Sequence, residues 1–365
     1  MMLFTSRPVG DAMATTIWGT SSSWTLTALP LFVWMGEILF RTKLSENLFA
    51  GLSPWMQKLP GGLIHVNVVG CALFAAISGS SAATVATVGK MSIPELRKRK
   101  YPEKILLGSL AGSGTLGLLI PPSIILIIYG VTVQESIAKL FIAGIIPGIM
   151  IALIFMSYVI IWSLINKKSM PKYVENFSFL EKIRKSKQLL PVIILISAVI
   201  GSIYTGVATA TEAASLGVVG ALILSYFQKS LTIETFKQSL LGATKTSCMI
   251  AFILAGSTFL SLAMGFTGLP RNLAIWIQNM ELSPYVLIFV LMIFYIILGM
   301  FLDGISAVVL TMAIIEPMIR QAGFDMIWFG IFLVIVVEMA QITPPVGFNL
   351  FVLQGMANKD MGFIA

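Results

Sequence analysis

Long apolar runs alternate along this chain with short polar or basic segments. The runs cover residues 24–40, 63–88, 105–130, 140–165, 189–204, 207–227, 247–265, 284–318 and 328–355. A helix needs about 20 mainly apolar residues to cross the hydrocarbon core of a bilayer. The pattern therefore predicts an all-α polytopic membrane protein.

Two consecutive apolar runs are interrupted by polar, glycine-rich breaks. One break is Ser78-Gly79-Ser80-Ser81, and the next begins at Ser113-Gly114-Thr115 and ends at Pro121-Pro122. Broken helix is tolerated at membrane depth only inside protein or beside a water-filled cavity, because unpaired peptide groups are costly in hydrocarbon. We therefore predict a re-entrant hairpin over 63–88 and a broken helix over 105–130, with a binding site where they meet.

The interrupted pattern recurs in the second half of the chain. Pro94 stands 27 residues before Pro121, and Pro317 stands 27 residues before Pro344, so one offset of 223 superposes both pairs. At this offset Ser80 corresponds to Asp303, which lies in the polar break of another apolar run. Matched breaks with matched flanks indicate a duplication, with a second hairpin over 284–318 and a second broken helix over 328–355. Repeats of this kind are typical of secondary transporters.

Basic residues are concentrated in alternate loops. If the first hairpin opens to the cytoplasm, the inside loops are 41–60, 90–104, 166–187 and 228–245, and the outside loops are 131–138, 201–206, 268–283 and 318–327. The inside loops contain nineteen Lys or Arg and the outside loops contain two. This distribution satisfies the positive-inside rule only if neither hairpin crosses the membrane. The second hairpin then opens outward, so the repeats are predicted to be inverted.

The repeats divide the chain into four predicted parts. Residues 1–60 are part of an N-terminal scaffold, 61–165 are the first repeat, 166–187 are a basic cytoplasmic linker, and 188–365 are the second repeat. No signal peptide is evident at the start. We expect the scaffold to be incomplete at the start of the chain and the second repeat to be incomplete at its end.

Composition narrows the possible classes of protein. The chain is 57% hydrophobic and 11% charged, whereas soluble domains carry about 25% charged residues. The net charge of +8 follows from the inside loops and does not require nucleic acid. With two cysteines in apolar runs and one histidine, the sequence offers no Cys/His metal cluster and no Ser-His-Asp arrangement, and it has no nucleotide-binding loop. We expect neither an enzyme nor an ATP-driven pump, and no transition-metal site.

The two breaks in the first repeat form a candidate Na⁺ site. Hydroxyl and freed carbonyl oxygens are hard donors of the kind that bind Na⁺, and glycines allow close backbone approach. Small residues also serve helix packing in membranes, but pairing with a broken helix and its repeat favours an ion site. The candidates are Ser78, Gly79, Ser80, Ser81, Ser113, Gly114 and Thr115.

The two breaks in the second repeat supply the corresponding candidates Asp303, Gly304 and Thr343. A carboxylate inside a membrane segment is costly and indicates function by default. The alternative is that Asp303 only caps a hairpin helix, as Asp commonly does.

An anionic substrate is expected at the same breaks. Helix ends there present backbone N–H groups and the positive end of the helix dipole. The candidate substrate contacts are Ser80, Ser81, Pro121, Pro122, Pro344, Pro345 and Asn349.

Six segments of the chain together match the pattern of one protein family: 59–63, 74–84, 114–123, 204–206, 299–303 and 342–347. They resemble, in order and over nearly the whole chain, the large membrane (permease) subunit of TRAP (tripartite ATP-independent periplasmic) transporters, of the ion transporter superfamily.

The resemblance implies an elevator-type transporter in a bacterial or archaeal inner membrane. Family members take up organic acids, such as C4-dicarboxylates, sialic acid or other carboxylates, and are driven by a Na⁺ gradient. They work with a small membrane subunit and a periplasmic solute-binding protein. Their Na⁺ sites form where hairpin tips meet broken helices, which are the candidate positions above.

Two other functions remain open on the sequence. A stand-alone ion-coupled organic-anion symporter or antiporter of the same superfamily would share these features but need no partners. An ion channel is less favoured, because separated, inverted breaks do not predict a continuous polar pore.

Overall fold

The computed structural model describes residues 9–42, 44–171, 177–268 and 283–364, together with Asn272 and Ile275. Within these residues every regular element is a helix. The α-helices are Val9–Ser21, Ala28–Phe40, Leu44–Met56, Ile64–Ser78, Ser81–Lys98, Glu103–Gly114, Leu116–Leu119, Ile124–Val133, Ile137–Ile165, Phe179–Ser186, Leu190–Tyr204, Ala210–Phe227, Ile233–Thr267, Pro284–Gly299, Gly304–Gln321, Met326–Gln341, Phe348–Ala357 and Met361–Ile364, and short 3₁₀ helices lie at Trp24–Thr27 and Lys167–Ser169. The predicted all-α class is confirmed.

Several of these helices suit a membrane. Among the described residues, five are long and apolar enough to cross one, and up to seven spans result if each bent helix pair counts as one. The helix Ile137–Ile165 exposes large apolar side chains on its outer face, and Ile146 is 77% exposed. Such a surface is stable against lipid but not against water, so the protein is a multi-pass membrane protein.

The first hairpin consists of Ile64–Ser78 and Ser81–Lys98. Gly79 ends the first arm with φ of 59°, a left-handed conformation that costs glycine little and other residues more. Ser80 then caps the second arm by accepting a hydrogen bond from Ala83 N. The tip therefore lies at Gly79 and Ser80, as the sequence predicts.

The second hairpin repeats this design at the predicted offset. Its arms are Pro284–Gly299 and Gly304–Gln321, and Asp303 caps the second arm. Adding 223 to the bounds Ser81 and Lys98 gives Gly304 and Gln321, so the second arms of the two hairpins correspond residue for residue. The internal duplication is thus present in the helix bounds as well as in the prolines.

Each hairpin is followed by a broken helix. The first comprises Glu103–Gly114, Leu116–Leu119 and Ile124–Val133, and the second comprises Met326–Gln341 and Phe348–Ala357. The Pro-Pro pairs lie in the two breaks, and the peptide bond within each pair is cis.

The two hairpins open at opposite ends of the first broken helix. At one end Arg97, from the first hairpin, lies 2.9 Å from Glu103. At the other end Arg320, from the second hairpin, donates to Val133 O at 3.1 Å. Because Glu103 and Val133 are the two ends of one 31-residue broken helix, the repeats are inverted.

Three helices outside the hairpins pack together, and we call them the scaffold: Ala28–Phe40, from the predicted N-terminal scaffold, and Ala210–Phe227 and Ile233–Thr267, from the part predicted as the second repeat. Ala28–Phe40 packs against Ala210–Phe227 and Ile233–Thr267, and Trp34 Nε1 donates to Ser239 Oγ at 3.3 Å. The predicted loop 228–245 is wrong in extent, because a helix already begins at Ile233. Thr232 caps this helix in a capping box with Thr235, so a polar sequence becomes its first turns. The predicted loop 268–283 lies mostly outside the described residues, as do residues 172–176 of the linker.

The inverted arrangement predicts which surfaces a reagent can reach. In a background with the exposed Cys248 replaced by Ala, we expect Lys98→Cys to react with an impermeant maleimide only from the cytoplasmic face. We expect Gln321→Cys to react only from the opposite face, because the two residues end the second arms of oppositely directed hairpins. Labelling of intact cells and inverted vesicles measures this. Labelling of both cysteines from one face would contradict the inverted topology.

Candidate functional site

The tip of the first hairpin gathers hydroxyl and carbonyl oxygens in a small volume. Ser78 Oγ lies 2.8 Å from Thr84 Oγ1, and Thr84 Oγ1 donates to Ser80 O at 2.8 Å. Ser80 N donates to Ser78 Oγ at 3.3 Å. The tip therefore concentrates oxygen donors of the kind that a hard cation such as Na⁺ needs.

This tip is seated against the first broken helix. Ile124 N donates to Gly79 O at 3.3 Å, directly after the Pro-Pro break. On the other side of the break, a β-carbon on Gly117 would lie 2.6 Å from Ser80 O. Only glycine permits so close an approach of helix and hairpin backbones. The structure thus brings the predicted hairpin tip and the predicted break together.

The residues before this break are held mainly within their own helix. Ser113 Oγ donates to Ser109 O at 2.6 Å, and Thr115 Oγ1 donates to Gly112 O at 2.7 Å. A β-carbon on Gly114 would overlap Val85 Cγ2, so this glycine packs against the second arm of the hairpin. Their oxygen lone pairs remain as possible ligands, and their assignment to the ion site stays a prediction.

The second tip is organised by Asp303. Its Oδ2 accepts hydrogen bonds from Ile305 N at 3.1 Å and Ser306 N at 3.2 Å. Its Oδ1 accepts from Ser306 Oγ at 2.5 Å. Asp303 is therefore a helix cap in this structure, and a carboxylate held in this way can also coordinate a cation with its free lone pairs.

Gln341 joins the two tips. Ser81 Oγ, at the start of the first hairpin's second arm, donates to Gln341 Oε1 at 2.7 Å. Gln341 also lies against the second tip, because a β-carbon on Gly304 would lie 3.0 Å from Gln341 Nε2. The predicted partner Thr343 instead donates to Met339 O at 2.7 Å, within its own segment.

The two Pro-Pro breaks have different surroundings. Pro121 and Pro122 are buried, whereas Pro344 and Pro345 are exposed. Just beyond the second break Asn349 is fully buried, and both polar atoms of its side chain lack a hydrogen-bond partner. Buried amides without partners are rare in native proteins, and the assignment of Asn349 to a substrate contact stays a prediction.

A cavity of about 580 Å³ lies between the scaffold and the hairpin tips. Ser78, Gly79, Ser80 and Asp303 line it on the side of the hairpin tips. The scaffold side is formed by Val33, Gly36, Glu37 and Phe40 and by Thr246, Met249, Ile250 and Ile253. Its size is typical of a small-molecule site. Of the predicted substrate contacts in the described chain, only Ser80 is among the lining residues.

The charges in this cavity are acidic. Asp303 and Glu37 are the charged residues among the described groups that line it, and neither Lys nor Arg does so. Arg41, the first residue after the helix Ala28–Phe40, pairs with Glu37. An organic anion in this cavity would therefore meet no basic side chain on its walls. It would need a bound cation or the N-terminal ends of the hairpin helices at Ser81 and Gly304.

Sequence reasoning missed several residues of this arrangement. Thr84 lies within the first motif, but only the folded tip shows that its hydroxyl reaches Ser78. Ser306 could have been found, because the third residue after a helix cap commonly bonds back to the cap. Glu338, one turn before Gln341, is buried and hydrogen-bonds with the backbone of Leu119, which gives a polar contact between the two broken helices.

Comparison with known proteins gives a family match over residues 1–364, to the family described as tripartite ATP-independent periplasmic transporter, DctM component. The chain is 32% identical to the C4-dicarboxylate TRAP transporter large permease protein DctM of Pseudomonas aeruginosa, over 99% of this chain and 84% of that protein. It is also 32% identical to the 2,3-diketo-L-gulonate TRAP transporter large permease protein YiaN of Escherichia coli, over 94% of this chain and 81% of that protein.

A solved structure has a similar fold. The crystal structure of the YdaH transporter of Alcanivorax borkumensis matches with a TM-score of 0.60 at 12% identity, and the match covers 97% of this chain and 83% of that one. At this identity the likeness concerns the fold alone.

Proposed function

Because the chain belongs to the DctM-component family of tripartite ATP-independent periplasmic transporters, we propose that it is a large permease subunit that couples uptake of an organic acid to Na⁺. The observation that carries this proposal is the meeting of two inverted hairpin tips at one cavity. The cavity contains oxygen donors and carboxylates but, among the residues described, no basic side chain.

The coupling ion follows from the charge of this cavity. Glu37 is paired with Arg41, so the uncompensated charge is that of Asp303, which would repel an anionic substrate unless a cation were bound first. Na⁺ at the first tip would be held by the oxygens of Ser78, Ser80 and Thr84, and Na⁺ at the second tip by Asp303. Cation binding would then make the cavity attractive to a carboxylate, and this dependence is coupling in thermodynamic terms.

The proposed substrate is a small carboxylate such as a C4-dicarboxylate, a sugar acid or sialic acid. The hairpin helices that begin at Ser81 and Gly304 direct their N-terminal ends toward the tips, where they favour negative charge. The cavity volume accommodates molecules of this size. We place selection among these acids largely with the binding protein that delivers them.

We propose an elevator movement of the hairpins and broken helices against the scaffold. The cavity lies at the boundary between these two parts, and the first hairpin presents Ala82, Ala83 and Ala86 to it. A β-carbon on Gly36 of the scaffold would lie 3.1 Å from Ile77 O and 3.2 Å from Ser78 Cα. Small residues on both sides let the two parts approach closely with few large side chains interlocked between them, which supports the proposed movement.

The proposed partners are a small membrane subunit of the TRAP transporter and a periplasmic solute-binding protein, and the proposed location is the bacterial or archaeal inner membrane. Residues 41–60 and 90–104, rich in Lys and Arg, would face the cytoplasm. In this arrangement the chain transports its substrate without chemical change.

Reconstitution of the full-length protein in liposomes tests the function. With an inward Na⁺ gradient, we expect uptake of a radiolabelled C4-dicarboxylate only when both the small subunit and the binding protein are present. The chain alone should give the background rate of empty liposomes. Saturable Na⁺-driven uptake by the chain alone would instead favour a stand-alone symporter, and ion current without saturation would favour a channel.

A further inference from the structure

We propose that Gln341 is a positioning residue that couples the two candidate Na⁺ sites, so that a cation at one hairpin tip strengthens cation binding at the other. This inference rests on the proposed function, because it concerns the ion sites assigned there. The two hairpin tips lie on different repeats, and the side chain of Gln341 connects them.

The contacts of Gln341 reach both tips. Its Oε1 accepts a hydrogen bond from Ser81 Oγ at 2.7 Å, and Ser81 follows directly after the cap Ser80. Its Nε2 lies against Gly304, where an added β-carbon would be only 3.0 Å away, and Gly304 follows directly after the cap Asp303. One amide group therefore contacts corresponding positions of the two repeats.

Burial makes this bridge sensitive to small movements. Gln341 and Ser81 are each 3% exposed, so neither polar group can exchange its partner for water. A shift of either tip would stretch the bond or leave a buried polar group unpaired, which costs free energy. Ordering of one tip by a cation thus favours the position of Gln341 that the other tip requires.

The position of Gln341 in its helix supports this role. It is the last residue of Met326–Gln341, immediately before the second break. The residues that absorb backbone changes in conformational steps are commonly those in loops or at the ends of helices. A change of position at the second tip would therefore shift Gln341 and, through their hydrogen bond, Ser81.

A second buried bridge between the repeats provides a matched control. Tyr129 OH donates to Met326 O at 2.6 Å, at the opposite end of the same helix. At 1.5 Å per residue, Met326 lies about 22 Å along the helix from Gln341. Loss of this bond removes an inter-repeat contact without touching either hairpin tip.

Hydrogen–deuterium exchange on the purified chain in lipid nanodiscs tests the coupling. NaCl is titrated against choline chloride at constant ionic strength, and protection is measured separately in peptides over 77–85 and 302–307. The variants are Asp303→Asn, Gln341→Met, Tyr129→Phe and the double variants that combine Asp303→Asn with each of the other two. Gln341→Met keeps the side-chain length but removes both polar atoms.

We expect Asp303→Asn to raise the NaCl midpoint at 77–85 by about fivefold or more, a size common for coupling between sites. In the Gln341→Met background the same substitution should change that midpoint less than about twofold, and in the Tyr129→Phe background the full effect should remain. An equal effect in the Gln341→Met background, or no effect in the native one, would overturn the coupling while leaving the ion sites in place. Absence of Na⁺-dependent protection at both tips would overturn the ion sites and the coupling together.

Discussion

Replacement of Gly117 by Ala is expected to abolish Na⁺-driven uptake. The new β-carbon would lie 2.6 Å from Ser80 O, 2.7 Å from Ser80 C and 2.7 Å from Thr84 Oγ1. Two of these three atoms belong to the backbone of the first hairpin tip, so the clash cannot be relieved by rotation of a side chain. Overpacking of this kind typically costs about 1–3 kcal/mol, and the tip must move away from the break.

Gly108→Ala is the matched control for this substitution. Gly108 lies earlier in the same broken helix, and a β-carbon there would meet nothing within 4 Å. Ala is also the better helix former, by about 1 kcal/mol in peptides, so we expect native uptake and native abundance. Uptake in the reconstituted system and protein yield from membranes are the measurements. Native uptake by a Gly117→Ala protein would show that transport does not need close packing of the first hairpin tip against the broken helix.

Asp303→Asn is expected to weaken the dependence of uptake on Na⁺ with little loss of protein. Asn caps helices about as well as Asp, and its oxygen can still accept a hydrogen bond from the start of Gly304–Gln321. The substitution removes only the charge, which at the centre of a bilayer costs roughly 2.5–3.5 kcal/mol unless a cation offsets it. A loss of about 1.4 kcal/mol in Na⁺ binding would raise the Na⁺ concentration for half-maximal uptake tenfold.

Asp325→Asn separates capping from ion binding. Asp325 caps Met326–Gln341 by accepting from Trp328 N at 2.8 Å, but it is exposed and is not among the residues that line the cavity. We expect this variant to keep the native Na⁺ dependence. If a well-expressed Asp303→Asn protein also kept it, the assignment of Asp303 to an ion site would be wrong, and its role would be to cap the helix.

Sequence alone determined the architecture of this protein. Apolar runs, two polar breaks and a 27-residue spacing of prolines predict both hairpins, and the helix bounds agree with the 223-residue offset from Ser81 and Lys98 to Gly304 and Gln321. The basic residues predict inversion. These signals are local in the chain and strong in a membrane, because hydrocarbon requires every backbone group to be paired within the protein. They also place the candidate site at the breaks, where Asp303 and Ser80 cap corresponding helices.

Only the tertiary structure decided which side chains meet at these breaks. Ser81 and Gln341 are 260 residues apart, and no periodicity predicts that their side chains form a hydrogen bond. Two close contacts also depend on how near two backbones come after packing: Gly117 against Ser80, and Gly36 against Ile77 and Ser78. The polar start of the helix Ile233–Thr267, before the predicted apolar run 247–265, was also missed, because it is held by a cap and by scaffold contacts and not by an apolar run. Helices and their caps follow from residues that are close in sequence. Contacts between the two repeats follow from close packing, which depends on all the neighbouring side chains at once.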